Sequence, residues 1–208
     1  MTSLVAFHNL AVTYHLRDYY NDKINRINLE AGMSQIAIKW GLIAGLVMVG
    51  VPLITYLLIG GGPETFAIGE IIGYATIILS LLLIFIAINE FRRLQPDQKV
   101  GFGRGLAIGL LISAIAGSLF GIYNWVYVEF LHPEFMDQYY DYYIEQVQQS
   151  GKPAAEIEQQ IASFEQQKAL FMNPVTQFLL MFLTVFVIGA VVSLFCAAVQ
   201  SRMSAKDV

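Results

Sequence analysis

The sequence predicts an all-α, polytopic membrane protein. Four transmembrane helices are expected, with an extracytoplasmic amphipathic helical hairpin between helices 3 and 4. Three observations carry this. Four long apolar runs, at about 36–60, 66–89, 105–131 and 175–199, are each long enough to cross a bilayer as a helix. The 208-residue chain is 56% hydrophobic and only 13% charged, where a soluble domain carries nearer a quarter charged residues. Its mean hydropathy is +0.58. Finally, the charges are sorted by loop. Arg92, Arg93, Lys99 and Arg104 fall in the 89–104 segment, and Arg202 and Lys206 in the tail. The segment between helices 3 and 4 holds eight carboxylates from Glu129 to Glu165 against Lys152 and Lys168.

Basic loops stay cytoplasmic. That places 89–104 and both termini inside and leaves 60–70 and the acidic segment outside. An even number of spans demands the same placement of the termini. The expected division is an N-terminal cytoplasmic or interfacial extension (1–34), a transmembrane domain (35–202) with 132–172 as its external loop, and a cytoplasmic tail (203–208). No cleavable signal peptide is evident in the charged first 30 residues.

The N-terminal extension admits three readings. Val5, Asn9, Val12 and Leu16 at rough helical spacing suit an interfacial helix. A flexible extension and a start at Met33 are the other two. Helix 1 is expected to begin near Ile36, capped by Ser34, with Lys39 and Trp40 at the interface. Ala37, Gly41 and Gly45 make a small stripe, and Pro52 is a bend point. The GGGPE turn through Pro63 reverses the chain. Helix 2 (66–89) opens with Gly69, Gly73 and Tyr74 and is then apolar all round, as lipid contact requires.

Helix 3 has the most specific pattern. Gly105, Gly109, Ser113, Gly117 and Gly121 recur every four residues, so one side lacks bulk for five turns. Such a stripe lets two helix backbones approach closely. Its partner is either the Ala37–Gly41–Gly45 stripe or another subunit. A substrate path lined by small residues is the rival reading. His132 and Pro133 end the helix. Met136, Tyr140, Tyr143 and Val147 mark one amphipathic helix of the external loop, and Ile157, Ile161 and Phe164 mark the next, with Gly151 and Pro153 between. The tyrosines at 139, 140, 142 and 143, with Tyr123, Trp125 and Tyr127, suit interfacial anchoring, and a ligand cage is the alternative. Helix 4 begins at Asn173–Pro174, cap and first turn. It carries a weaker Gly189–Ser193 stripe and a face of Phe178, Phe182 and Phe186.

Signals for chemistry are sparse. His8, His15 and His132 are too far apart in topology for one metal site, and Cys196 is alone in an apolar run. No CxxC, HExxH, GxSxG or phosphate-loop pattern occurs. GFGRG at 101–105 lacks the preceding strand a nucleotide loop needs. No cofactor, metal or nucleic-acid partner is expected. The lipid bilayer is the expected surround, with self-association or a membrane-protein partner left open. Glu70, Asn124 and Glu129 form a candidate polar site at the outer mouth, for a cation or proton, against the plainer reading of wet interface residues.

The segment GEIIGYATIILSLLLIFIAINEFR (69–92), the basic turn, and VGFGRGLAIGLLISAIAGSLFGIYNWVYVEFLHPEF (100–135) together resemble DUF4199. This is a family of uncharacterised membrane proteins found chiefly in Bacteroidota. Gly69, Glu70, Gly73 and Tyr74 match its GExxGY-like pattern, and Phe102 and Gly103 its entry to the next helix. The likeness covers about 35–202. It implies a four-helix inner-membrane protein and transfers no catalytic role. Function is expected to be that of a non-enzymatic structural or interaction component that packs through the glycine-rich helix. The alternative is a small transporter or oligomeric channel.

Overall fold

The computed structural model describes residues 2–206, with side chains described at 17, 20 and 23–203. Every regular element among them is helical. They run α1 (Thr2–Ile59), a 3-10 turn (Pro63–Thr65), α2 (Phe66–Leu81), α3 (Leu83–Leu94), α4 (Phe102–Val126), a π-helical turn (Tyr127–Leu131), α5 (Phe135–Gln148), α6 (Ala154–Phe171) and α7 (Pro174–Lys206). Four helical stretches are long and apolar enough to cross a membrane: Lys23–Ile59, Pro63–Leu94, Phe102–Leu131 and Pro174–Met203. Leu57, Leu58 and Phe195 are each more than 70% exposed. Water would penalise such a surface and lipid does not.

The start of the first span differs from the expectation. Helix α1 is continuous through 34–36, and Ser34 is no cap: its Oγ donates to the Glu30 carbonyl at 3.0 Å inside the helix. Nothing between 17 and 36 stops a helix except Gly32, which costs only about 1 kcal/mol. The 58 residues reach roughly 87 Å, far beyond a hydrocarbon layer of about 30 Å. The stripe Val5–Asn9–Val12–Leu16, His8 and His15 lie outside the described side chains. Pro52 sits inside α1, where it removes one helical hydrogen bond. Gly60, at φ +80°, ends the helix in the left-handed conformation and donates its N–H to the Tyr56 carbonyl at 2.9 Å.

The second span is two helices rather than one. At Leu82 the ladder tightens to an i→i+3 bond, Phe85 N to Leu82 O at 3.0 Å, and α3 then runs on to Leu94. No Pro or Gly marks the break. One face of the pair, Ile77, Leu81, Ile84, Ile88 and Phe91, is buried at helical spacing, while Leu79, Leu82 and Ile86 face outward. At the α3 end, Glu90 accepts from Lys39 Nζ (2.9 Å) and Trp40 Nε1 (2.6 Å), tying α1 to α3.

Helix α4 is the centre of the bundle, between α7 and α1. Its small stripe faces α7 within the chain, where the sequence suggested the Ala37–Gly41–Gly45 stripe or a second subunit. A Cβ at Gly105 would meet Ala197 Cβ at 3.2 Å, at Gly109 Ser193 Cβ at 2.6 Å, at Gly117 the Phe182 carbonyl at 3.2 Å, and at Gly121 Phe178 Cδ2 at 2.8 Å. The match is reciprocal, because a Cβ at Gly189 would meet Ser113 Cβ at 2.5 Å. Each glycine receives the other helix's serine in an antiparallel pair. Both serines are fully buried, and each donates to its own helix four residues back, Ser113 Oγ to Gly109 O (2.8 Å) and Ser193 Oγ to Gly189 O (2.6 Å). Neither serine hydroxyl is orphaned by this close approach.

Gly41 and Gly45 meet the other side of α4. Positions for their Cβ atoms lie 2.9 Å from Ile115 Cβ and 2.5 Å from Leu119 Cδ1. Here α1 runs parallel to α4 and takes its aliphatic knobs. The two glycine sets lie on opposite sides of α4 and do not meet each other. Helix α7 won the small stripe because Gly189, Ser193 and Ala197 repeat at the same four-residue spacing. Asn173 caps α7, its Oδ1 accepting from the Val175 and Thr176 amides at 2.9 and 3.2 Å.

Candidate functional site

At the end of the bundle that carries the Gly60–Gly62 turn, the helices part around a cavity of about 300 Å³. Its walls come from α1 (Pro52, Thr55, Tyr56), α2 (Phe66, Gly69, Glu70, Gly73), α4 (Phe120, Tyr123, Asn124), α7 (Met181, Thr184), and Tyr127 of the π turn. Helix α5 closes one side with Phe135 and Tyr139. A Cβ on Gly69 or Gly73 would meet nothing within 4 Å. These two glycines leave volume open, in contrast to the stripe on α4, where each glycine is filled by a neighbour.

Of the three polar residues expected to cluster, the structure brings two to the cavity. Glu70 and Asn124 line it, whereas Glu129 is exposed and does not. The reason is helical phase: Glu129 lies in the π turn beyond Asn124 and is rotated onto an exposed side of the helix. The cavity ring draws in part on the aromatic zone expected either to anchor at the interface or to cage a ligand. Tyr56 and Tyr127 meet edge to face at 5.3 Å, Tyr127 and Phe135 at 5.4 Å, and Phe135 stacks on Tyr139 at 5.6 Å. Phe66 sits among them, 5.6 Å from Phe135 and 5.7 Å from Tyr139. Spacing on one helix could not reveal this ring, because it draws on four separate elements.

The hydroxyl of Tyr139 donates to Glu70 Oε1, joining α5 to α2 across the cavity wall. Burial first, then this bond and the Glu70 charge, push the Tyr139 phenol well above its ordinary value. Tyr143 is raised to about 12, again by burial first and then by Glu70. The neutral phenol is therefore favoured by folding. Docking of α5 should be fully present below about pH 10, the unfolded value, and fade only as pH climbs toward the raised folded value. Tyrosinate absorbance in an alkaline titration should lag that of the denatured chain, and Tyr139→Phe should remove part of the lagging amplitude. Superimposable curves would refute it.

Two threonine hydroxyls of the cavity have their protons committed elsewhere. Thr55 Oγ1 donates to Val51 O at 2.9 Å and Thr184 Oγ1 to Leu180 O at 2.8 Å. Asn124 Oδ1 is buried with no hydrogen-bond partner. No Lys, Arg or His lines the cavity. Among the described residues no group of three His, Cys, Asp or Glu side chains stands close enough to hold a metal ion. Cys196 is buried in the core, away from this end.

The model of the family described as "Protein of unknown function (DUF4199)" matches residues 39–202. The chain belongs to DUF4199. This DUF4199 protein is a multi-pass membrane protein, and the match spans all four membrane helices and the α5–α6 segment between them. No curated protein and no solved structure matches the chain.

Proposed function

We propose that this DUF4199 protein is a non-enzymatic component of a bacterial inner membrane that captures a small lipophilic molecule in its outward-facing cavity. The observation that carries this is the contrast between the two glycine patterns. The α4 stripe is filled from within the chain, so it offers little to a second subunit. Gly69 and Gly73 instead keep a half-open chamber lined by aromatic rings and a few polar groups, the usual make-up of a small-molecule site. Below the cavity the next layers, Leu81, Ile112, Ser113 and Val185, are fully buried. That favours capture at one face over a channel or transporter with a continuous path. The orientation rests on Arg92, Arg93, Lys99 and Arg104 clustering at the opposite end. It puts both termini in the cytoplasm and the α5–α6 pair outside.

Single cysteines in a Cys196→Ala background test this reading. Added to intact cells, a membrane-impermeant maleimide should label Ser150→Cys quickly and Thr55→Cys more slowly, and leave Asp97→Cys and Ile112→Cys unmodified. Labelling of Thr55→Cys no faster than Ile112→Cys would end the pocket reading. Labelling of Asp97→Cys instead of Ser150→Cys would invert the orientation.

A further inference from the structure

The cavity's chemistry narrows what it can hold. We propose that it binds a protonated organic amine with an apolar body, whose ammonium head sits between Glu70 and the aromatic ring. This rests on the pocket reading above and adds the class of ligand.

Three observations converge on a cation. Glu70 is the one charged residue of the lining, and among the described residues no cation pairs with it. Its partners are neutral phenols, Tyr139 and Tyr143. A carboxylate beside a low-dielectric cavity is stabilised by an opposite charge far more than in water. Second, one buried acceptor of the lining is unmet. The hydroxyl protons of Thr55 and Thr184 point to backbone carbonyls, and Asn124 Oδ1 has no donor. A ligand bringing N–H groups would satisfy that orphaned oxygen, whereas an anion or a simple carbonyl would not. Third, the rings of Tyr56, Tyr127, Phe66 and Phe135 line the cavity packed edge to face, and an aromatic face left open to it attracts an ammonium group. The remaining walls, Pro52, Phe120 and Met181, suit an apolar body.

An ammonium can come from a free amine or from the headgroup of an aminophospholipid. The lining has no basic group to pair a phosphate, which favours the free amine.

The test uses the full chain in a maltoside detergent, which has no charged or amino group. Calorimetric titration at neutral pH compares phenethylammonium with propylbenzene, its neutral isostere. The ammonium should bind saturably and at least about tenfold more tightly than the isostere, the size expected of a charge-assisted contact. Glu70→Gln should erase that preference, and Glu129→Gln, outside the cavity, should keep it. Equal binding of both probes to the wild-type chain overturns the proposal without reliance on any variant. So does a Glu70→Gln variant that folds and keeps the preference. If neither probe binds while Thr55→Cys still labels, the pocket stands and the ammonium assignment falls. If Thr55→Cys does not label, the pocket reading itself has failed. Competition by added phosphatidylethanolamine would assign the ammonium to a lipid headgroup, and lack of competition to a free amine.

Discussion

Gly109→Leu should unfold or severely loosen the bundle. The first atom of the new side chain would already lie 2.6 Å from Ser193 Cβ, and Ile84 Cγ2 stands 3.0 Å away on another side. Three further carbons have nowhere to go, because Ser193 and Ile84 are both fully buried. The helices would have to separate, and van der Waals contact along the seam would be lost with them. In a membrane this matters more than in water, since no hydrophobic force draws the helices back together. The expected loss is about 3 kcal/mol or more, at the upper end of overpacking costs. Gly189→Leu should do the same through Ser113. Gly50→Leu, on α1 with open space around it, should stay within about 0.5 kcal/mol of wild type. Thermal unfolding in detergent, followed by circular dichroism, measures all three. The oligomeric state before unfolding should not depend on the stripe, because the seam lies within one chain. A Gly109→Leu protein as stable as wild type would refute the packing account.

Tyr139→Ala should release the α5–α6 pair from the bundle end while leaving the membrane helices folded. The substitution removes the hydrogen bond to Glu70 and ring contacts with Phe66, Phe135 and Tyr143. A bond to a charged acceptor contributes about 1.5–3 kcal/mol, and each aromatic pair about 0.5–1.5 kcal/mol. Tyr139 is only half-buried, so solvent screening brings the expected net loss to about 2 kcal/mol. Amide exchange in α5 should then accelerate about thirtyfold, since each 1.4 kcal/mol is a factor of ten. Exchange in α4 and α7 should not change. Lys168 still pairs with Asp137 at 2.7 Å, so α5 and α6 should leave together. Unchanged protection of α5 would show that Met136 and Tyr140, both buried, hold the segment without Tyr139.

Much of the architecture was legible in the residues. The four spans follow from length and hydropathy alone, because a bilayer accepts only backbone that satisfies its own hydrogen bonds. Asn173–Pro174 as cap and first turn, and Gly151 at φ +68°, are local and could be read locally. Three features were not. Continuity of α1 through Ser34 was hidden because a serine that can cap can also bond within a helix. The break at Leu82 has no residue of its own to announce it. Glu129 was grouped with Glu70 and Asn124 by nearness in sequence and topology, and helical phase turned it away.

The chain's own composition determined that it lies in a membrane as four helices, with one face of α4 cleared for close contact. Those are properties of periodicity and transfer from water, which one sequence carries in full. Only the tertiary structure decided which helix fills that face. It also decided that Gly69 and Gly73, spaced like the packing glycines, border a cavity instead. Both outcomes depend on what stands opposite a small residue. A neighbour's Ser193 makes Gly109 a seam, and the lack of one makes Gly69 part of a chamber.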